Sequence, residues 1–340
     1  MRLPLGTRTF LLLALLAAGA GALLGVPGER PAAGAGRWKT VGAAGLNPGQ
    51  FKQPRGIAGL PDGSFFVVDR AARVQRFDAA GRPAGIWEMR ERALGNPKGL
   101  CALPNGNLLV CDTHYGRVLE MTLAGETARI WGTFGTGPAQ FVHPLSCVAD
   151  ARRGAAYVVE YGGYNDRVQK FSLDGTFLKA WGSFGSEPGQ FRRPSGVAVD
   201  SRGSVFVADA ANHRIQKFDP DGGLLSVFGE AGHDPGQLSF PFDIACAADD
   251  TLYVADYNNH RVSVFDAEGA FLRVLGGPGG GEGEFRFPWS LSVHPDGRLL
   301  VSDTGNSRVQ ILALPARTER EALTPPSPGG RGRAKRTGVE

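Results

Sequence analysis

One short pattern recurs six times in this chain of 340 residues, and it restricts the fold more than any other feature. Each copy ends a short apolar strand on an acid: Phe65–Asp69, Leu108–Asp112, Ala156–Glu160, Val205–Asp209, Leu252–Asp256 and Leu299–Asp303. An arginine follows within a few residues and opens a second short strand, at Arg73, Arg117, Arg167, Arg214, Arg261 and Arg308. A proline starts each unit, at Pro54, Pro97, Pro144, Pro194, Pro241 and Pro288, in steps of 43, 47, 50, 47 and 47 residues. A period in the forties holding four short strands describes one blade of a β-propeller.

The fourth unit shows the strand grammar. Ser195–Val199 is apolar and broken by Asp200–Gly203, Val205–Asp209 and Ile215–Phe218 follow, and the turn Asp219–Gly222 leads into Leu224–Phe228. Short β-branched runs divided by Gly, Asp, Asn and Pro suit hairpin-linked antiparallel strands. No stretch of this region carries a long 3.6-residue apolar period, which speaks against a helical solenoid. The expected fold is all-β. Linkers of the form G-x-x-G-x-x-P-G-Q-F separate the units, as at Gly182–Phe191, and one also precedes the first, at Gly42–Phe51. The last unit stops near Leu314 without a fourth strand, so Trp38–Val41 is expected to supply it and close the ring. Closure removes sheet edges that would otherwise template aggregation.

The runs Asn212–Ile215, Asn259–Val262 and Asn306–Val309, each just after a V-x-D strand, resemble NHL repeats. The resemblance covers residues 37–314 and implies a six-bladed β-propeller built from NHL-type repeats. The first unit departs, with Ala71 and Ala72 where Asn-His stands elsewhere, and the third has Glu160 for Asp. The same ring hosts enzymes, RNA binders and scaffolds, so the resemblance speaks to fold rather than to activity.

Outside the ring, Arg2 and Arg8 precede an apolar run, Phe10–Leu24, and then Pro27-Gly28. A basic start, a short apolar run and small residues make 1–26 a signal peptide or an N-terminal membrane anchor, with 27–36 as linker and the chain exported. Such a run is short for a span of ~20 residues, which leaves cleavage and membrane anchorage through residues 10–26 both open. Residues 315–340 are rich in Pro, Gly and Arg and read as a disordered basic tail.

The chain's net charge of +4 sits in its ends. Residues 1–36 carry three basic and one acidic side chain and residues 315–340 six and three, leaving 28 basic and 29 acidic residues in the ring, a net of −1. Strong nucleic-acid binding by the ring is therefore not expected, since such binding rests on phosphate contacts. The four cysteines, Cys101, Cys111, Cys147 and Cys246, have no C-x-x-C spacing, which excludes a zinc-binding RING module. They read as small buried residues, with a Cys101–Cys111 disulfide as the alternative in an exported protein. The hairpin turns match no calcium loop, and no metal or cofactor is expected.

Six copies of the acid–arginine pair argue for a structural role, because a ring needs one active site. Asp69, Asp112, Glu160, Asp209, Asp256 and Asp303 are expected to pair with their arginines. The non-repeated residues are the candidates for binding. Arg55 and Lys98 follow the blade prolines at the mouth of the channel, and Asp243 stands where other blades have Gly or Ser. His114, Tyr115, Tyr161, Tyr164 and Tyr257 fall in or beside the loops joining second to third strands, and His143 and His233 in the blade-to-blade connections. A loop face of aromatic rings, imidazoles and a few charges suits a protein or small ligand, whose identity no motif narrows. The leading expectation is a non-catalytic interaction ring. The alternative is a metal-dependent propeller enzyme of the lyase or lactonase type, with His114, His143 and His233 as the trio from different blades that would have to converge.

Overall fold

The computed structural model describes residues 37–314; the expected export segment 1–26, the linker 27–36 and the tail 315–340 lie outside the described residues. Six four-stranded antiparallel sheets follow one another around a central axis. In blade 4 the strands are Pro194–Val199, Val205–Asp209, Arg214–Phe218 and Leu224–Phe228, running outward from the axis in chain order. The inner strand is narrow and apolar, the next is buried over all five residues, and the outermost is largely exposed. That gradient explains why strands ending V-x-D, or V-x-E in the third blade, are the most regular feature of the sequence: both faces of that strand meet a neighbouring sheet. Among the described residues no helix is long and apolar enough to cross a membrane.

Blade 6 is completed from the other end of the chain. Trp38–Val41 pairs antiparallel with Arg308–Ala313, in the register Trp38 to Leu312 and Val41 to Val309. Trp38 is buried and meets the edge of Phe285 at 5.3 Å between ring centroids. At the other side of this seam Arg298 donates to the carbonyls of Gly63 and Ala79 in blade 1, at 2.8 and 3.1 Å.

Each acid–arginine pair works as a staple between a blade and the linker leading into it. In blade 4, Asp209 Oδ2 accepts from Arg214 Nε and from Asn212 Nδ2, both at 2.8 Å. Its Oδ1 accepts the backbone N–H of Arg192 at 2.7 Å. Arg214 in turn donates to the carbonyls of Glu187 and Gln190, and Gln216 donates to the latter as well. One buried carboxylate thus fixes the linker's carbonyls through the guanidinium fork that serves both. Blades 5 and 6 repeat the arrangement with Asp256–Arg261 and Asp303–Arg308, and blades 1 and 3 with Asp69–Arg73 and Glu160–Arg167. Burial is the largest influence on Asp209, Asp256 and Glu160 and pushes their pKa above the ordinary carboxylate range, against the pull of the arginines and amides.

Blade 2 is the exception. The segment before it, Met89–Asn96, lacks the glycine-rich linker motif. Arg117 still reaches Asp112 at 2.9 Å but also binds Glu91, and Asp112 Oδ1 is buried without a hydrogen-bond partner.

Candidate functional site

Five of the six inner strands begin with a break in register: between Pro54 and Ile57, Pro144 and Ser146, Pro194 and Gly196, Pro241 and Asp243, and Pro288 and Leu291. Bulges of this kind bend a strand and re-aim the side chains at its end. Here they fall where the strands reach the channel mouth, and they set the residues around each blade proline on the rim of the opening.

The rim has two unlike halves. One is cationic. Lys98, 8% exposed, lies 3.4 Å from the Tyr161 hydroxyl and 5.7 Å from that ring's centroid. Arg193 covers the same ring at 5.3 Å. Burial first, then Arg55 and Arg193, bring the Lys98 ammonium down to about 7. His143 stacks on Tyr161 at 5.2 Å, and His114 stands 6.2 Å from His143. Both imidazoles are held below their ordinary pKa by burial and then by Lys98, so they are neutral at pH 7.

The other half is aromatic. Phe242 and Trp289 lie 4.0 Å apart between centroids, with Tyr257 5.4 Å from Phe242 and 5.0 Å from Phe287, and Phe240 5.9 Å from Phe242. The two halves join through guanidinium groups. Arg193 reaches Phe240 and Phe242 as well as Tyr161, and Arg55 lies over Trp289 at 4.8 Å. Burial and the neighbouring Arg70 lower Arg55 to about 10. Among the described residues none of Arg55, Lys98 and Arg193 forms an ion pair; Arg55 donates instead to Asn96 Oδ1 at 2.8 Å.

Below the rim the channel encloses about 190 Å³ and is lined by small and β-branched inner-strand residues, Cys101, Cys147 and Cys246 among them. The four cysteines are thiols, so the alternative expectation of a Cys101–Cys111 disulfide is corrected. Their backbones explain it: Cys101 pairs across the strands with Leu109, and Cys111 with Gly99. Among the described residues, Asp243 is the one carboxylate in the channel wall. It is buried, accepts the Ser290 hydroxyl at 2.6 Å and the Leu291 and Ile244 amides at 3.0 Å, and burial raises its pKa to about 7. A Cβ on Gly196 would stand 2.6 Å from its Oδ1, so the glycine of blade 4 makes the room that the acid of blade 5 fills.

The candidates named from sequence therefore separate. Arg55, Lys98, His143, Tyr161 and Tyr257 meet at the mouth, with His114 beside them. Tyr115 accepts a hydrogen bond from the Leu94 amide and carries Arg117 on its ring, within blade 2's own loop. Tyr164, 81% exposed, packs on Phe184 in the outer linkers. His233 bonds Asn259 and stays exposed in the linker before blade 5, so the trio with His114 and His143 does not assemble; among the described residues no three His, Cys, Asp or Glu converge as a metal site. His213 and His260 have a structural task, each accepting through Nδ1 the amide of the residue before the next blade's proline, Phe240 at 3.1 Å and Phe287 at 3.0 Å.

Sequence reasoning missed Arg193, Phe240 and Phe287. They share one position, immediately before a blade proline, and a left-handed backbone with φ of 55°, 59° and 54°. Reading that column around the ring, from Gln53 through Asn96 and His143, would have found them.

Comparison with known proteins fits this architecture. The NHL repeat family model matches residues 191–218, 238–265 and 285–312. None of the curated proteins matches the chain by sequence. Among solved structures, a virginiamycin B lyase from Staphylococcus aureus superposes with a TM-score of 0.57 at 12% identity, over 82% of this chain and 99% of that one. A gluconolactonase from Xanthomonas campestris gives 0.60 at 15% identity, over 84% and 99%. A chain of the nidogen/laminin complex gives 0.54 at 22% identity, over 66% and 80%. At these identities the likeness is one of fold.

Proposed function

From a chain that carries NHL repeats in a six-bladed ring, we propose a non-catalytic binding protein that takes a protein or small ligand on the loop face, at the channel mouth. The observation that carries this reading is the rim itself, where unpaired cations and partly open rings from all six blades face a single opening. Recognition sites combine apolar rings with a few fixed polar groups in this way. The nidogen/laminin chain shows that a related ring occurs in a protein–protein complex. The same proposal takes the ring as exported or held at a membrane through residues 10–26, on the strength of the basic and apolar N-terminal sequence.

Thermal shift of the full-length protein against a chemically mixed panel tests the reading. Stabilising compounds should lose their effect in Arg55→Ala and Trp289→Ala and keep it in Tyr164→Ala, which alters only the outer linkers. Hits indifferent to the mouth substitutions would defeat it. One observation favours a second reading, an enzyme: His143, neutral and with a buried, unpartnered Nδ1, stands beside Lys98 and could move a proton. Mouth-dependent consumption of a hit, followed by mass spectrometry, would decide for that reading.

A further inference from the structure

The mouth's charge pattern narrows its ligand. We propose, resting on the reading above that the mouth is the binding site, that it takes a small organic anion bearing a flat ring, its carboxylate or phosphate among Lys98, Arg55 and Arg193 and its ring against Trp289 and Tyr257.

The cations come first. Lys98 is 8% exposed and lies under the influence of both Arg55 and Arg193, while all three lack a carboxylate partner among the described residues. Like charges brought together and partly desolvated are unfavourable unless an opposite charge joins them. Arg55 and Arg193 each keep a buried Nε–H that no protein group accepts, although Arg55 has Asn96 at its other end. Guanidinium forks suit a carboxylate and a phosphate alike.

The rings come next. Arg193 bridges Tyr161 to Phe240 and Phe242, and Arg55 lies over Trp289, so the guanidiniums are already flattened against aromatic faces. Phe242 is buried and forms the floor, whereas Phe287 is 37% exposed and Trp289 and Tyr257 keep part of their surface open. A planar ring entering beside Trp289 meets an apolar wall whose ring already has Arg55 4.8 Å from its centroid. Offset or edge-on ring pairs of this kind contribute beyond area burial.

Size follows from charge outside the mouth. The ring as a whole carries 28 basic and 29 acidic side chains, so the three cations form a focus and not part of a broad basic surface. A polyanion gains from many phosphate contacts. A ligand with one anionic group gains all of its charge complement at the mouth.

Calorimetry and thermal shift on the full-length protein test this with benzoate, indole-3-acetate and phenyl phosphate. Benzamide, tryptamine, acetate and a single-stranded decauridylate serve as comparators. At least one aromatic anion should raise the melting temperature, with binding weakened tenfold or more in Lys98→Met and in Arg193→Gln. Neither variant should have an unliganded melting temperature below that of the wild type, and both should keep its circular dichroism. Acetate and the neutral or cationic compounds should not bind. Mouth-dependent binding of benzamide or tryptamine as strong as that of the anions would overturn the ligand class and leave the mouth reading standing. Tighter binding of decauridylate would overturn it in favour of a nucleic acid. Absence of any mouth-dependent hit in this panel overturns it too, and the mixed panel above then shows separately whether the mouth binds anything.

Discussion

Ser290 donates its hydroxyl to Asp243 at 2.6 Å, and this bond crosses the seam between blades 5 and 6. With Gly196 of blade 4 leaving the space behind it, Asp243 ties three consecutive blades at one level of the channel.

That acid makes stability depend on pH. Its native pKa, about 7, lies above the ordinary 3.8 because it is buried. The native state therefore holds its proton where the unfolded chain has lost it. The contribution is fully present below the unfolded value and is lost as pH rises through about 7. Urea unfolding of the wild type should show stability declining between pH 5 and 7 by a few kcal/mol at most. Asp243→Asn should flatten that slope, and an unchanged slope would count against the assignment.

The staples should be far more sensitive than the surface ion pairs. Arg214→Ala leaves Asp209 buried without its cation and the Glu187 carbonyl without its donor. Loss of one partner from a buried pair costs ~3–5 kcal/mol. Arg202 and Glu268 meet at 2.7 Å with more than half of each side chain exposed, and Arg202→Ala should change stability by no more than ~1 kcal/mol. Similar midpoints for the two variants in denaturant would refute the contrast.

Closure of the ring can be tested with one side chain. Trp38 is 7% exposed and packs on Phe285 and the blade 5–6 core. Trp38→Ala should cost ~3–5 kcal/mol, as for other large aromatic truncations, and loosen the edge of blade 6. Hydrogen exchange should then quicken at Arg308–Ala313 before other blades; uniform loosening would contradict a local seam.

Lys98 should be the odd lysine of the chain. Its amine titrates near 7 because burial and two guanidiniums disfavour the charge. The groups facing it are Arg55, Arg193, His114, His143 and Tyr161, and no acid is among them. After reductive ¹³C-methylation, its resonance should shift near pH 7, and Lys98→Met should remove that transition. A lysine titrating only near 10 at this site would refute it. Anion binding at the mouth should weaken as pH rises through the same range, since the ammonium is then lost.

Much of this fold was legible because it is written six times. A single Val205–Asp209 is an ordinary strand; six such runs, each with an arginine beyond it, leave one architecture. The fourth-strand likeness of Trp38–Val41 was legible for the same reason. The site was legible only in part, because repeats specify which loop a residue occupies and say little about its distance from the axis. Tyr164 and His233 sit in the expected class of loop and face outward, while Arg193 reaches the mouth from one residue before its proline. Arg193, Phe240 and Phe287 take a left-handed backbone at that position, and no propensity of Arg or Phe announces it. The Cys101–Cys111 alternative failed because strand register, which spacing does not reveal, sets the two residues against other partners.

The strand that completes blade 6 also sets an order of events during synthesis. Trp38–Val41 leaves the ribosome first, and its partner Arg308–Ala313 follows about 270 residues later. At ~5–20 residues per second the early strand waits on the order of ten seconds to a minute for the edge it will cover. Through that interval each new blade can stack on the one before it, but the circle stays a crescent with two raw ends. The pairing that joins them, Trp38–Val41 on Arg308–Ala313, comes into being only once translation has passed Ala313.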